Sequence, residues 1–537
     1  MSNVSKIEKL KSLTKRNIIK SRDLSEINNS SWKQAKPYSE IPGPKPLPFV
    51  GNTWRFIPFI GDYKIRSIDQ LTLKLYKKYG PIVKIEGLLG RPDMVFLYDA
   101  DEIEKVFRNE ELMPYRPSMP SLNYYKHVLR KDFFGNSAGV IAVHGKDWYD
   151  FRTRVQKPML QPQTAKLYAK TIEETADVFV EKSKRLRNNL SEVPFNYLNE
   201  IHKWSLESLA KIALDVNLGC LDEPPNPETQ ILINAVVSFF EKVPILELKV
   251  PFWRVFNTPT WKQYIHSLDT ITNIAMKHIN AAIENLNDKN INNIDNNASL
   301  LQRILAMNND PKIASILALD MFLVGIDTTS SAVASIMYQL AKHPKVQENL
   351  YKEVKTVLPS ENDKLTVQKL ENMIYLKSVI KETLRMYPVV IGNGRCMTRN
   401  NVISGYQIPE GVQVVFQHYA ISNSEKYFKR SSEFLPERWL KNTTNEEKQD
   451  FVKSFNNENT NAPCEFDKNS VHPFASLPFG YGRRMCLGRR FAELEIQTVI
   501  AKMIKSFKIE YHYGDLKYHI DTMYIPNGPL KFKLIDR

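Results

Sequence analysis

Phe479-Gly-Tyr-Gly-Arg-Arg-Met-Cys-Leu-Gly488 runs without interruption into Arg489-Arg-Phe-Ala-Glu-Leu-Glu-Ile-Gln-Thr, and no other stretch so narrows what the chain can become. Gly480 and Gly482 permit a tight loop with positive φ angles. Gly488 lets backbone or a planar ligand come close at the start of a helix. Cys486 then sits where the helix dipole and the free amides of the first turn stabilise a thiolate, with Arg483 and Arg484 adding cationic charge. Taken alone, the cysteine reads as well as a buried small apolar residue. The spacing of Phe479, Gly482, Arg484, Cys486 and Gly488 argues for more than that.

The chain of 537 residues, 42% hydrophobic and 11% aromatic, is long enough for a large core, and no composition shift divides it. Its formal net charge of +15 fits an anionic membrane surface or an acidic protein partner. Nucleic acid is the weakest of the partners such a charge suggests, since no short basic run interleaved with aromatics, finger or helix-turn-helix pattern stands out, and no nucleic-acid partner is expected. The four cysteines, Cys220, Cys396, Cys464 and Cys486, lack C-x-x-C spacing and a disulfide framework, which fits a reducing compartment. Residues 1–35 combine Val4, Ile7, Leu10 and Leu13 at helical spacing with Lys6, Lys9, Lys11, Lys15 and Arg16, and contain no continuous apolar stretch. That pattern reads as a mitochondrial transit peptide or a disordered leader, followed by one domain over 36–537.

Prolines from Ile41 to Pro48 force an extended lead-in. The runs from Pro81 to Gly87 and from Asp93 to Tyr98 predict a hairpin, with a helix over 100–112 to follow. Trp148 and Arg152 share a helical face. Met113 to Lys126 reads as an irregular loop, and residues 165–300 as a series of amphipathic helices. Within them Val243 to Phe256, with Trp261 and Lys262, is either a lipid-dipping segment or core. Asn285 to Asn297 and Lys441 to Asn469 are asparagine-rich, the first a linker and the second an insertion. Pro311 to His343 predicts a long buried helix, too polar to span a bilayer, with Gly325, Asp327, Thr328 and Thr329 at its middle. Asn372 to Tyr387 predicts a helix carrying Glu382 and Arg385, which alone amount to a surface ion pair.

In this order the motifs resemble the cytochrome P-450 family from about Ile41 to the carboxyl terminus. The resemblance implies a mainly α fold with a smaller β region, a single large unit with a long central helix over the haem. It implies haem b with the Cys486 thiolate as axial iron ligand, in a loop that includes Phe479 and Gly488. Trp148, Arg152, Arg395 and Arg484 would meet the haem propionates, and Asp327 and Thr328 would relay protons to dioxygen, with Gly325 letting the helix open. Val324 departs from the Ala or Gly usual in the family. Glu382, Arg385 and Arg438 would form a buried structural network. The Met113–Lys126 loop would touch substrate, and the region near Trp253 would roof the access channel.

No flavin or dinucleotide motif is present, so electrons must come from a partner. Lys377 and Lys381 lie four apart on one helix. By resemblance to mitochondrial members they would bind an acidic iron–sulfur ferredoxin, itself reduced by an NADPH-dependent reductase, with Arg489 and Arg490 adding to the basic face. The implied activity is insertion of one atom of dioxygen into a lipophilic small molecule, on the matrix side of the inner mitochondrial membrane and in peripheral contact with it. Arg116-Pro-Ser-Met-Pro-Ser-Leu and Arg130-Lys-Asp-Phe-Phe-Gly resemble the arthropod mitochondrial branch, whose members act on ecdysteroids or xenobiotics, and most closely its subgroup linked to cuticle formation. The alternatives are a haem-thiolate sensor or carrier without turnover, and a non-oxygenase isomerase.

Overall fold

The computed structural model describes residues 31–57, 59–287, 298–440 and 471–537. The leader up to residue 30, most of the asparagine-rich linker, and the insertion with Cys464 lie outside the described residues.

The organising element is the central helix, Pro311–Lys342. Asp310 starts it by accepting from the Lys312 amide at 3.0 Å, and Pro311 occupies the first helical position, where a missing N–H costs nothing. Pro344 opens the next helix, Pro344–Val357, directly after the break. Contrary to the expectation from polarity, the central helix is apolar enough to cross a bilayer: its best 18-residue window has a mean hydropathy of 1.5. Burial decides the matter instead, because 78% of that window lies inside the fold. The apolarity is that of a core helix touched on every side.

Helices Ala169–Arg185, Tyr197–Leu214, Pro227–Leu248 and Pro259–Asn287 form the expected amphipathic series. Tyr197–Leu214 is almost wholly buried and packs along the central helix. Gly325 permits the contact: a Cβ there would stand 3.1 Å from Leu209 Cδ1. The central helix continues unbroken through Gly325, so the residue serves close helix packing where the resemblance implied an opening.

The hairpin forms as expected, Ile82–Ile85 against Met94–Leu97 with Ile82 opposite Leu97. Gln413–Phe416 extends it in parallel, and Asn393–Cys396 closes the four-stranded sheet antiparallel, with Arg395 opposite Val414. That last strand carries Asn393 and Arg395 toward the interior. The helix after the hairpin, Ala100–Arg108, is shorter than expected and capped by Asp99, which accepts from the Asp101 and Glu102 amides. The Met113–Lys126 segment is not irregular throughout: Pro120–Tyr124 is helical and Tyr125–Leu129 forms a π turn. Trp253 and Trp261 resolve as core, stacked with ring centroids 4.6 Å apart, while Phe252, Val255 and Phe256 face outward.

Candidate functional site

A cavity of about 340 Å³ opens beneath the central helix. Leu317, Met321, Val324, Gly325, Thr328, Thr329 and Ala332 form one wall, the Phe479–Gly488 loop another, and Trp148, Arg152 and Asn393 reach in from their own elements.

The loop turns as its glycines predict, with φ of +69° at Gly480 and +75° at Gly482. The Cys486 amide donates to Phe479 O at 2.9 Å, which closes the loop and points the residue inward. Cys486 is accessible from the cavity and enclosed by protein elsewhere. Burial pushes its thiol above the ordinary value. Its bond with the Gly488 amide and the charges of Arg152, Arg489 and Arg116 pull it back only in part. The leading cations on the sulfur are thus Arg152, Arg489 and Arg116, ahead of the adjacent Arg483 and Arg484. Arg484 turns away, donating to Pro114 O at 3.1 Å and Val143 O at 2.9 Å, and its guanidinium lies 3.8 Å from the centre of the Trp148 ring.

Four guanidiniums gather here, Arg116, Arg152, Arg395 and Arg484. One carboxylate answers them: Glu110 accepts from Arg395 Nε at 2.7 Å. Burial first, then mutual repulsion, lowers the arginines; Arg116 falls to about 10 and Arg484 to about 8. Burial alone accounts for Arg152, also at about 10, with the neighbouring Cys486 opposing it. His418, behind them, is held at about 4 by burial and by Arg395. Arg116 Nε, Arg152 Nε, Arg484 Nη2, Asn393 Oδ1 and His418 Nε2 are buried and have no hydrogen-bond partner among the described residues. Buried charge of one sign with open donors requires a counter-charge. Guanidinium geometry suits carboxylates.

The residues therefore fit a planar group with two carboxylates, bound by a thiolate. Gly488 adds room, since a Cβ there would meet nothing within 4 Å. Sequence reasoning took Arg116 only as part of a substrate loop and missed Glu110 and His418. No local pattern marks them.

A sequence profile of the cytochrome P450 family matches residues 41–535. The chain belongs to the cytochrome P450 family. Its cofactor is haem b held by a cysteine thiolate, and its activity is that of a haem monooxygenase that takes dioxygen, a lipophilic substrate and electrons from a redox partner. Among its relatives in Drosophila melanogaster, "Probable cytochrome P450 301a1, mitochondrial" is 45% identical over 94% of this chain and 88% of its own length. "Probable cytochrome P450 49a1" is 44% identical over 95% and 84%, and "Probable cytochrome P450 12a5, mitochondrial" 36% identical over 95% and 93%.

The other predicted residues of this P450 fall into three groups. Thr328 lines the cavity, its hydroxyl donating to Val324 O at 2.9 Å. Asp327 does not: its carboxylate is buried against His202 Nε2 at 3.0 Å, on the side of the Tyr197–Leu214 helix. Glu382, Arg385 and Arg438 meet as expected. Arg385 bonds both carboxylate oxygens at 2.9 and 3.0 Å, Arg438 Nε bonds one at 2.9 Å, and Trp439 Nε1 and the Leu435 amide complete the set. Lys377 and Lys381 line a separate outer concavity with Arg489 and Arg490. Leu384, Leu477, Pro478, Phe479 and Gly480 line both spaces, so the cysteine loop is the partition between them.

Proposed function

We propose that this P450 inserts one atom of dioxygen into a C–H bond of a lipophilic small molecule, with electrons delivered by an acidic iron–sulfur ferredoxin and its NADPH-dependent reductase on the matrix side of the inner mitochondrial membrane. Steroid-like, cuticle-related and xenobiotic molecules are the substrate classes that fit. Residues 1–35 act as the leader and 36–537 as the monooxygenase domain. The observation that carries the proposal is the meeting of Lys377, Lys381, Arg489 and Arg490 around a concavity whose inner wall is the loop bearing Cys486. Such a face attracts an acidic partner and sets its on-rate. The "mitochondrial" in the names of two relatives supports the same compartment.

When bound, haem supplies reductive activation of dioxygen, and a thiolate ligand favours O–O cleavage. Cys486 is the residue placed to be that ligand, in the loop of Phe479 and Gly488. Trp148, Arg152, Arg395 and Arg484, joined by Arg116, would hold its two carboxylates. Thr328 offers a hydroxyl in the oxygen-side wall, with Val324 one turn before it narrowing the space. Asp327, next to it on the same helix and held by His202 at 3.0 Å, is the proposed source of protons behind that wall. Glu382, Arg385 and Arg438 hold the scaffold of the cysteine side. Phe252, Val255 and Phe256 stand 58%, 74% and 63% exposed, beside Arg254, which fits shallow insertion at a lipid interface.

Cys486→Ser abolishes the strongly red-shifted Soret band of the reduced carbon monoxide complex; persistence of that band refutes the ligand assignment. Lys377→Glu with Lys381→Glu cripples ferredoxin-driven NADPH oxidation while leaving that band intact. Unchanged reduction rates in the double variant sink the partner assignment.

A further inference from the structure

Asp320 stands four residues before Val324 and eight before Thr328, so the three share one face of the central helix, and all line the cavity. Asp320 borders a part of that space otherwise walled by Val140, Ile141 and Met321. Lys126 meets it. Its Nζ donates to Asp320 Oδ1 at 2.8 Å and to the carbonyls of Ala138 at 2.9 Å and Ile141 at 3.3 Å, which engages every ammonium hydrogen. Asp320 Oδ2 accepts from the Val140 amide at 2.8 Å and the Ile141 amide at 3.4 Å. The two side chains are 2% and 4% exposed. Gly139, with a φ of +87°, makes room, since a Cβ there would stand 2.2 Å from Asp320 Oδ2.

An ion pair buried at this depth is tolerable only when its remaining donors and acceptors are met. All of them are met by one loop, so the acid that the helix aims at the cavity presents no charge to an occupant. We propose that Lys126 masks Asp320 so that this part of the wall accepts an uncharged, apolar portion of the substrate, and that the two are specificity-determining residues remote from the reacting atoms. The inference rests on the haem-ligand reading of Cys486 only through its probe.

The test uses the haem-loaded full chain and two imidazoles, 1-decylimidazole and 1-(10-aminodecyl)imidazole, with binding read from the Soret shift. Eight residues of helix rise roughly 12 Å, which a decyl tail spans. The wild type binds the neutral tail about tenfold or more tightly than the aminated one. Lys126→Met exposes the carboxylate and shrinks or reverses that ratio by about tenfold, and adding Asp320→Leu restores it. An unchanged ratio in Lys126→Met overturns the proposal. Should Lys126→Met fold poorly, Asp320→Asn leaves the Lys126 ammonium without its counter-charge directly behind the wall, and 1-(10-carboxydecyl)imidazole then gains about tenfold; absence of that gain also overturns it. If the reduced carbon monoxide complex of the wild type lacks the strongly red-shifted Soret band, the ligand reading of Cys486 fails instead. The same ratios are then read from ligand-induced shifts in Tm, which need no haem.

Discussion

Glu382 and Arg484 are both buried charges on the cysteine side of the fold, yet the first is surrounded by partners and the second is not. Glu382 takes two arginines, an indole N–H and a backbone amide, and its side chain and that of Arg385 are 0% exposed. Arg484 has two carbonyls, a tryptophan face, and three other guanidiniums for company, with Glu110 the one carboxylate set against them among the described residues. A closed cluster of charge belongs to the scaffold, because nothing further has to arrive. An open one is incomplete until a ligand of opposite charge completes it, and this distinguishes a site from a brace without reference to any relative.

The difference is broken most directly at the brace. Glu382→Ala leaves Arg385 and Arg438 as uncompensated buried cations and costs about 3–5 kcal/mol of stability, by denaturant titration, whether or not haem is loaded. A loss seen only in the haem-loaded protein would mean that Glu382 serves the site.

A smaller effect comes from pH. Burial and Arg395 hold His418 at about 4, against 6.5 for an ordinary histidine. Between those values the unfolded chain takes up a proton that the folded apoprotein refuses, so stability is lost as pH falls from 6.5 toward 4, by on the order of 3 kcal/mol. His144, also at about 4 but partly exposed, contributes less. His418→Phe flattens the slope of the urea midpoint across that window; a slope as steep as wild type would place the titration elsewhere.

The smallest change in stability, and the sharpest contrast with Glu382, is expected at the open cluster. Arg484→Leu removes a cation repelled by its neighbours, so the apoprotein is as stable as wild type or more so by up to about 1 kcal/mol, while haem is held about tenfold less tightly. Haem transfer to apomyoglobin measures the second quantity. A marked loss of apoprotein stability would erase the distinction between brace and site.

What the sequence made legible was what it wrote locally. The glycines of the cysteine loop, the hairpin between Ile82 and Leu97, and the pair Glu382–Arg385 are short-range patterns, and the structure reproduces each. Arg438 needed the resemblance, because nothing in Pro436-Glu-Arg-Trp439 says that it will reach a helix begun at Ile374. What escaped was assembled across the chain. Glu110 and His418 join Arg395 only when the sheet closes. Lys126 finds Asp320 across 194 residues, and His202 finds Asp327 across 125. Asp327 shows the limit of position alone: being next to Thr328 in sequence put it about 100° around the helix and out of the cavity. The polarity of the central helix misled for a related reason, since apolarity is demanded equally by lipid and by a large core.

Leu477, Pro478, Phe479 and Gly480 form a wall one loop thick, with a ligand space on one face and a basic concavity on the other. Backbone that shifts on one face of so thin a wall shifts on the other as well. Any difference an occupant makes to its position alters the affinity of whatever docks outside by some factor, and docking alters the occupant's affinity by that same factor. The ligand space and the proposed docking face thus share four residues of backbone.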